Sequence, residues 1–449
     1  MAFPKTLKKA LLVARAFGIV ASFISGLLTR SVSLRLKRVS HHLSPSSSSS
    51  PKPDPRSRNI VVIGASMAGH HAAHTIATSL PPDSPYRVVV VEPHGTYRNI
   101  PSQDPEPWFR KQGPLSGFGM LTHAEYFQFT WVLPRFSVVG GHEHKAFIPY
   151  GPYLSGAPDG AVRWVRDRVV RVTRDSVQLN SSGEEIAYAY LVVATGAGAT
   201  DALPSRVGVD GRAEGIEALR QMQGRIRDAR NLVVMGGGAA GVELAADAKA
   251  KYPEKTVTLV HSRDRVMHRF GRELQDAAME GLLGLGVEVV TGDRVVNCAG
   301  QRPNSQLIAE LSPESIARTG HVLVKSTLQI QDESLPNIYV CGDVAETQTA
   351  NPNSRSAMHQ AMVVADNILL ALEGRDPTYQ YKPLWVEGLI KLTLGLDKSV
   401  THLGDGSTEL LFRTKEKDLA LMSAQAWKQL GARPFEDDYD TLHKMLAVP

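Results

Sequence analysis

The sequence predicts an α/β protein with two Rossmann-like βαβ units and a smaller α+β cap at its C-terminal end. Three observations predict it. Two glycine turns, beginning at Gly64 and Gly236, each follow a short β-branched strand and open a helix. Each helix leads into another β-rich run, the alternation that builds a parallel sheet. The chain has 449 residues, 43% of them hydrophobic, enough for two or three full-sized cores without disulfide staples.

The first 58 residues differ from the rest. They hold eleven Lys and Arg against one acid, Asp54, while the remaining chain carries 39 basic and 44 acidic side chains, a net of −5. The overall charge of +5 therefore describes a leader, and no specific nucleic-acid partner is expected. In residues 1–43, Lys5, Lys8 and Lys9 precede an apolar stretch from Ala10 to Leu28 that is broken by Arg15; Arg30, Arg35, Lys37 and Arg38 follow. The uncharged part, Ala16 to Leu28, makes roughly 20 Å of helix against a hydrocarbon core of about 30 Å. Charge on both flanks suits a membrane anchor or interfacial helix. The Arg- and Ser-rich, acid-poor composition suits a mitochondrial transit peptide, and a cleaved secretory signal is a third reading. The first two place the protein at a mitochondrial or other intracellular membrane. Ala2 excludes N-myristoylation. Residues 44–58 form a Ser/Pro tether.

The first unit starts at Asn59-Ile-Val-Val-Ile-Gly64. The turn Gly64-Ala-Ser-Met-Ala-Gly69 leads into a helical run, and Arg87-Val-Val-Val-Val-Glu92 ends in an acid. Gly64 permits the tight turn, Gly69 lets helix and strand approach, and the helix N-terminus faces a pyrophosphate. Glu92 is placed to accept a ribose hydroxyl. Ser66 replaces the middle glycine of the fingerprint, so an ordinary βα turn is the competing reading. The second unit repeats the pattern. After Asn231-Leu-Val-Val-Met235 comes a complete Gly236-Gly-Gly238-Ala-Ala-Gly241, and its second strand ends in His261-Ser-Arg263 where an acid would bind a free ribose. Arg263 there tolerates or attracts a 2′-phosphate. Two Rossmann-like domains in one chain imply two dinucleotides, and a flavin with a nicotinamide is the chemically sensible pair.

Two further motifs connect these units: Tyr188-Ala-Tyr-Leu-Val-Val-Ala-Thr195-Gly196, and Leu335-Pro-Asn-Ile-Tyr-Val-Cys341-Gly342-Asp343. With both glycine fingerprints they resemble the two-dinucleotide-binding flavoproteins of the pyridine-nucleotide-disulfide oxidoreductase fold, over residues 59 to 375. Pro134-Arg135-Phe136, the Gly141–Tyr150 stretch and Trp427-Lys-Gln-Leu-Gly431 resemble the branch of apoptosis-inducing-factor-like proteins, which includes the ferroptosis suppressor and fungal relatives. The resemblance implies that Gly64, Ser66, Gly69, Glu92, Arg135, Thr195, Gly196, Gly342 and Asp343 hold FAD. It implies that Gly236, Gly238, Gly241 and Arg263 hold NAD(P)H, with Glu243 beside them and Lys145 near the flavin as the candidate catalytic residues. No metal site is expected; His142 and His144 alone do not make one. The expected domains are an FAD domain in two segments, 59–205 and 331–378, an inserted NAD(P)H domain at 206–330, and a cap at 379–449.

Two cysteines, Cys298 and Cys341, bound the chemistry. They form no C-x-x-C pair and end strands, so both read as buried small hydrophobes, and disulfide-reducing relatives are excluded. Electrons taken from NAD(P)H then leave the flavin directly, to a quinone, oxygen or a protein. The leading expectation is an FAD-dependent NAD(P)H:quinone-type oxidoreductase. The alternative is a flavin-binding signalling protein with little turnover. One irregularity bears on both. From Asp167 to Gly196 the first unit has 29 positions, whereas from Asp293 to Gly300 the second has seven. The resemblance implies a β-meander in each, so the second domain lacks at least 22 residues of its own. The loss should bare apolar surface on one face of its sheet.

Overall fold

A computed structural model describes residues 6–22, 25–26, 58–93, 126–150, 154, 156–199, 206–207, 211–292 and 301–436. Cys298, the Asp293–Gly300 junction and the Ser/Pro tract through residue 57 lie outside them. The elements that position the sites begin with α1 (residues 6–22), β1 (Asn59–Ile63), α2 (Met67–Ala77), β2 (Arg87–Val91), β3 (Val162–Val165) and β4 (Tyr190–Val193). The second unit supplies β5 (Asn231–Met235), α3 (Ala239–Lys251), β6 (Thr256–His261), α4 (Arg272–Leu285) and β7 (Glu288–Thr291). Then come β8 (Ile338–Val340), α5 (Ser354–Leu372), β9 (Ile390–Thr393), β10 (Lys398–Gly404) and β11 (Glu409–Lys415).

The first sheet is parallel throughout, in the order β8–β4–β1–β2–β3. Helices α2 and α5 cover one face, where Ile60, Val62, Val88 and Val90 meet Ala72, Ile76, Val364 and Ile368. The other face is closed by a three-stranded antiparallel meander, Val169–Val172, Ser176–Leu179 and Glu185–Ala187, whose Val177, Leu179 and Ile186 pack on Val61 and Val89. The Asp167 carboxylate accepts amides from Ser181 and Ser182 at 3.0 and 3.3 Å and pins the hairpin. All five residues of β1 are buried in consequence. Each such aliphatic side chain contributes about 1.5–3 kcal/mol relative to exposure.

The second sheet, β5–β6–β7, is parallel and three-stranded. Helices α3 and α4 cover its inner face through Val242, Ala246, Leu274 and Leu282 against Val234, Val257 and Leu259. Its outer face is open among the described residues: Val233 is 61% exposed, Met235 41% and Val290 36%. Their counterparts in β1, Val61 and Ile63, lie under the meander. This is the apolar exposure expected from the shortened second domain.

Domain seams differ from the expected ones. Strand Gln301–Pro303 pairs antiparallel with Ala197–Ala199, and Ile308, Val322 and Ile330 join the layer beneath the first sheet. The first domain therefore resumes near residue 301, not 331. This segment has no long apolar run to mark it; its membership comes from single side chains set by turns. The cap is shared. Its antiparallel sheet β9–β10–β11 sends Leu392, Leu394 and Val400 into the second core, while Trp427 is enclosed in the first. The leader helix α1 lies back on the body, with Leu12 buried, Lys9 on Glu273 at 3.1 Å and Arg15 on Asp405 at 2.8 Å. Among the described residues no helix is long and apolar enough to cross a membrane.

Candidate functional site

The first glycine turn is fixed by close approach. Gly64 has φ +92°, and a Cβ there would stand 2.5 Å from the Ala194 carbonyl oxygen; one on Gly69 would stand 1.8 Å from that of Gly64. Only glycine lets α2 lie this close to β1 and β4. Helix α2 opens at Ser66, whose side chain makes no cap bond, and no acid occupies its first turn, an arrangement that suits an anion at the helix start. Glu92 is buried and accepts the Ala65 amide at 2.6 Å. Gly342, at φ +80°, brings the Gly-Asp turn against Ala68, and its amide donates to Gln360 Oε1 at 2.8 Å. Asp343 lines a cleft with His321, Thr347, Ser356 and Gln360 at the N-terminus of α5. Burial pushes its carboxyl up, while Arg206 at 3.9 Å pulls the other way. Thr195 and Gly196 are anchored from outside: Thr195 Oγ1 donates to the Asn304 carbonyl at 2.7 Å, and the Asn304 amide to that of Gly196 at 2.9 Å. Gly64, Ser66, Gly69, Glu92, Thr195, Gly342 and Asp343 thus gather around one helix start, a cradle that fits a dinucleotide.

The second turn repeats this geometry. Gly236 has φ +106°, and a Cβ on Gly241 would stand 1.9 Å from the Gly236 oxygen. Gly238, at the start of α3, has open space where its Cβ would be, and α3 likewise carries no acid in its first turn. The difference lies at the strand end. The Gly237 amide donates to His261 Nδ1 at 3.1 Å, where the first unit uses Glu92. Arg263 is exposed two residues on.

Two residues expected beside the cofactors, Arg135 and Glu243, lie where the two units join, and a third, Lys145, lies against the cap helix of the first core. Arg135 is fully buried, with Nε on Asp247 Oδ2 at 2.6 Å and Nη2 on the Gly395 carbonyl at 3.0 Å. It ties the first domain to α3, through an acid 112 positions away, and to the cap. Glu243, one turn before Asp247 on α3, accepts the Thr393 amide at 3.0 Å and its hydroxyl at 3.2 Å. Burial, reinforced by Asp247, pushes its carboxyl up to about 8, so it is protonated at neutral pH. Lys145 donates to His142 Nδ1 at 2.9 Å and lies 4.7 Å from the centre of the Phe435 ring, and its carbonyl accepts the Trp427 indole N–H at 3.0 Å. Burial and the Lys145 charge hold His142 below its usual range, which suits an acceptor for that ammonium. Cys341 is enclosed, and burial pushes its thiol up to about 12, which makes it inert at neutral pH.

The family model for pyridine nucleotide-disulphide oxidoreductases matches residues 58–298, more than half of the chain. The chain belongs to this family. Its relatives include Fe-regulated protein 8 of Mycosarcoma maydis, 30% identical over 429 residues, covering 83% of this chain and 95% of that protein. Human ferroptosis suppressor protein 1 is 28% identical over 335 residues, covering 67% and 86%. Among solved structures, the sulfide:quinone oxidoreductase of Aquifex aeolicus superposes with a TM-score of 0.60 at 14% identity, over 87% of this chain and 96% of that one, and shares its fold. The protein is accordingly an FAD-dependent oxidoreductase of the apoptosis-inducing-factor-like type, with NAD(P)H as co-substrate.

Sequence reasoning missed Asn304 and Gln360, which hold the Thr195-Gly196 and Gly342 turns, and Asp247, the partner of Arg135. A signal existed for Asn304, since Arg302-Pro-Asn304 follows the short junction directly. Asp247 offered one as well, as an acid one helical turn beyond Glu243.

Proposed function

We propose that the protein is an NAD(P)H:quinone-type oxidoreductase that works without a redox disulfide. The observation that carries this reading is two acid-free helix starts, each behind a glycine cradle, in a chain whose sequence holds no C-x-x-C motif. Gly64, Ser66, Gly69, Glu92, Thr195, Gly196, Gly342 and Asp343 would hold FAD; Gly236, Gly238, Gly241 and Arg263 would hold the nicotinamide dinucleotide. FAD, when bound, accepts hydride and passes electrons to the acceptor. The chain's own residues position and balance charge. The two helix starts would offset pyrophosphate charge, and the protonated Glu243 spares the junction a second buried negative charge beside Asp247. The net reaction takes NAD(P)H, a proton and a quinone to NAD(P)+ and a quinol.

The leader supports a place at a membrane. The outward side of α1 carries Leu7, Leu11 and Phe17, exposed beside Lys8, the composition of an interfacial helix. The test has two stages. Denaturation should release flavin, and anaerobic NADPH or NADH should bleach its band. Quinone titration with and without oxygen then identifies the acceptor. No bleaching with either nucleotide overturns the enzyme reading. That result leaves a flavin-binding signalling protein with little turnover, the reading that the open second sheet favours.

A further inference from the structure

We propose that the second site selects a dinucleotide bearing a 2′-phosphate, NADPH over NADH, through a His261–His268 pair standing where the first site has Glu92. This rests on the second unit being the NAD(P)H site. The turn amide in each unit needs an acceptor. In the first unit, Glu92 Oε2 takes the Ala65 amide at 2.6 Å, and a carboxylate has lone pairs left for ribose hydroxyls. In the second, His261 Nδ1 takes the Gly237 amide at 3.1 Å, and an imidazole nitrogen so engaged has none left. The acceptor that would favour an unphosphorylated ribose is missing.

Hydrogen-bond logic then orients both rings. With Nδ1 accepting, the His261 proton sits on Nε2, which lies 3.3 Å from His268 Nδ1. His268 accepts there and carries its own proton on Nε2; it is an exposed residue, whereas His261 is buried. Burial, His268 and Arg263 hold His261 below its usual range, against a weaker pull upward from the Arg265 backbone; burial, Arg269 and Arg263 lower His268. Asp264, the acid of this loop, approaches Gly292. The loop is locked onto the turn from both ends. The Met267 amide donates to the Gly237 carbonyl at 2.7 Å, and a Cβ on Gly237 would lie 2.8 Å from the His261 ring. The strand end thus presents ring and guanidinium donors, from His268, Arg263 and Arg269, in place of a carboxylate, which suits a phosphate dianion and not a pair of hydroxyls.

A dianion beside His268 raises its proton affinity, so binding takes up a proton. Affinity should climb as pH falls from 8, until the phosphate's own second ionisation near pH 6 reverses the trend. Calorimetry of the flavin-loaded protein with 2′,5′-ADP and 5′-ADP tests this without turnover. The expected result is about tenfold or tighter binding of 2′,5′-ADP, with proton uptake and a margin wider at pH 6.5 than at 8. His261→Glu supplies the Gly237 amide with an acceptor of the Glu92 kind, so the turn should persist while the preference closes or reverses. His268→Ala should keep the turn and lose the pH dependence. Equal affinity for the two probes, no binding of either, or a preference untouched by both substitutions overturns the proposal. The two readings fail separately. Preferential 2′,5′-ADP binding with no bleaching by either dinucleotide sinks the enzyme reading alone, and bleaching by both with equal ADP affinities sinks this one alone.

Discussion

The two nucleotide units share one local grammar and differ in what surrounds it. In both, a positive-φ glycine and a second glycine under 2 Å of Cβ clearance set a helix against a strand. Among the described residues the first sheet has five strands and a meander over its back; the second has three, with Val233, Met235 and Val290 exposed. The comparison teaches that the cradle is a property of the strand, turn and helix, and of the core between sheet and helices. The layer behind the sheet adds burial and edge protection and leaves the turn geometry intact. A second contrast lies at the strand end, where a buried carboxylate in one unit is an imidazole in the other.

The largest expected effect breaks the cradles one at a time. Alanine at Gly69 or Gly241 forces a backbone shift costing about 3 kcal/mol, roughly a hundredfold in affinity. Gly69→Ala should lose flavin on gel filtration. Gly241→Ala should keep it and lose reduction by NAD(P)H. Loss of flavin in both would mean that the units are not independent. Next comes the tie between them. Arg135→Leu leaves Asp247 buried and unpaired, at a cost of about 3–5 kcal/mol in urea unfolding. Pairing it with Asp247→Leu should recover most of the loss.

A smaller effect depends on pH. The Glu243 carboxyl is raised from 4.5 in the open chain to about 8 in the fold, so the native state binds the extra proton between those values. Its contribution is complete at low pH and is lost as pH rises through about 8. Thermal unfolding from pH 5 to 9 should show Glu243→Gln gaining on the parent as pH rises, and a constant gap would refute the assignment. The smallest effect concerns the open face. Val233→Thr with Met235→Gln should change stability by no more than about 0.5 kcal/mol while reducing aggregation. A large destabilisation would show that something covers this face in solution.

The turns were legible because glycine spacing reports backbone geometry directly, and the missing meander was legible because one unit served as a ruler for the other. Arg135 was legible as a marked residue and its partner Asp247 was not, since that pairing is set by packing between α3 and the first domain. His261 was read only as the absence of an acid; its bond to Gly237 depends on how the following loop folds back. The seam near residue 301 escaped for the same reason. Ile308, Val322 and Ile330 are scattered in sequence and meet only beneath the first sheet.

Cys341 turns its position into a clock. It follows β8 directly and precedes Gly342, enclosed beneath the cradle. A thiol-specific reagent reaches it only when the end of that strand opens, and that opening also loosens the turn expected to hold the flavin ribityl chain. In a Cys298→Ser background, labelling kinetics would follow a single site. The rate at which the thiol is trapped, compared with the rate at which yellow colour leaves the protein, would time cofactor escape against the breathing of one strand.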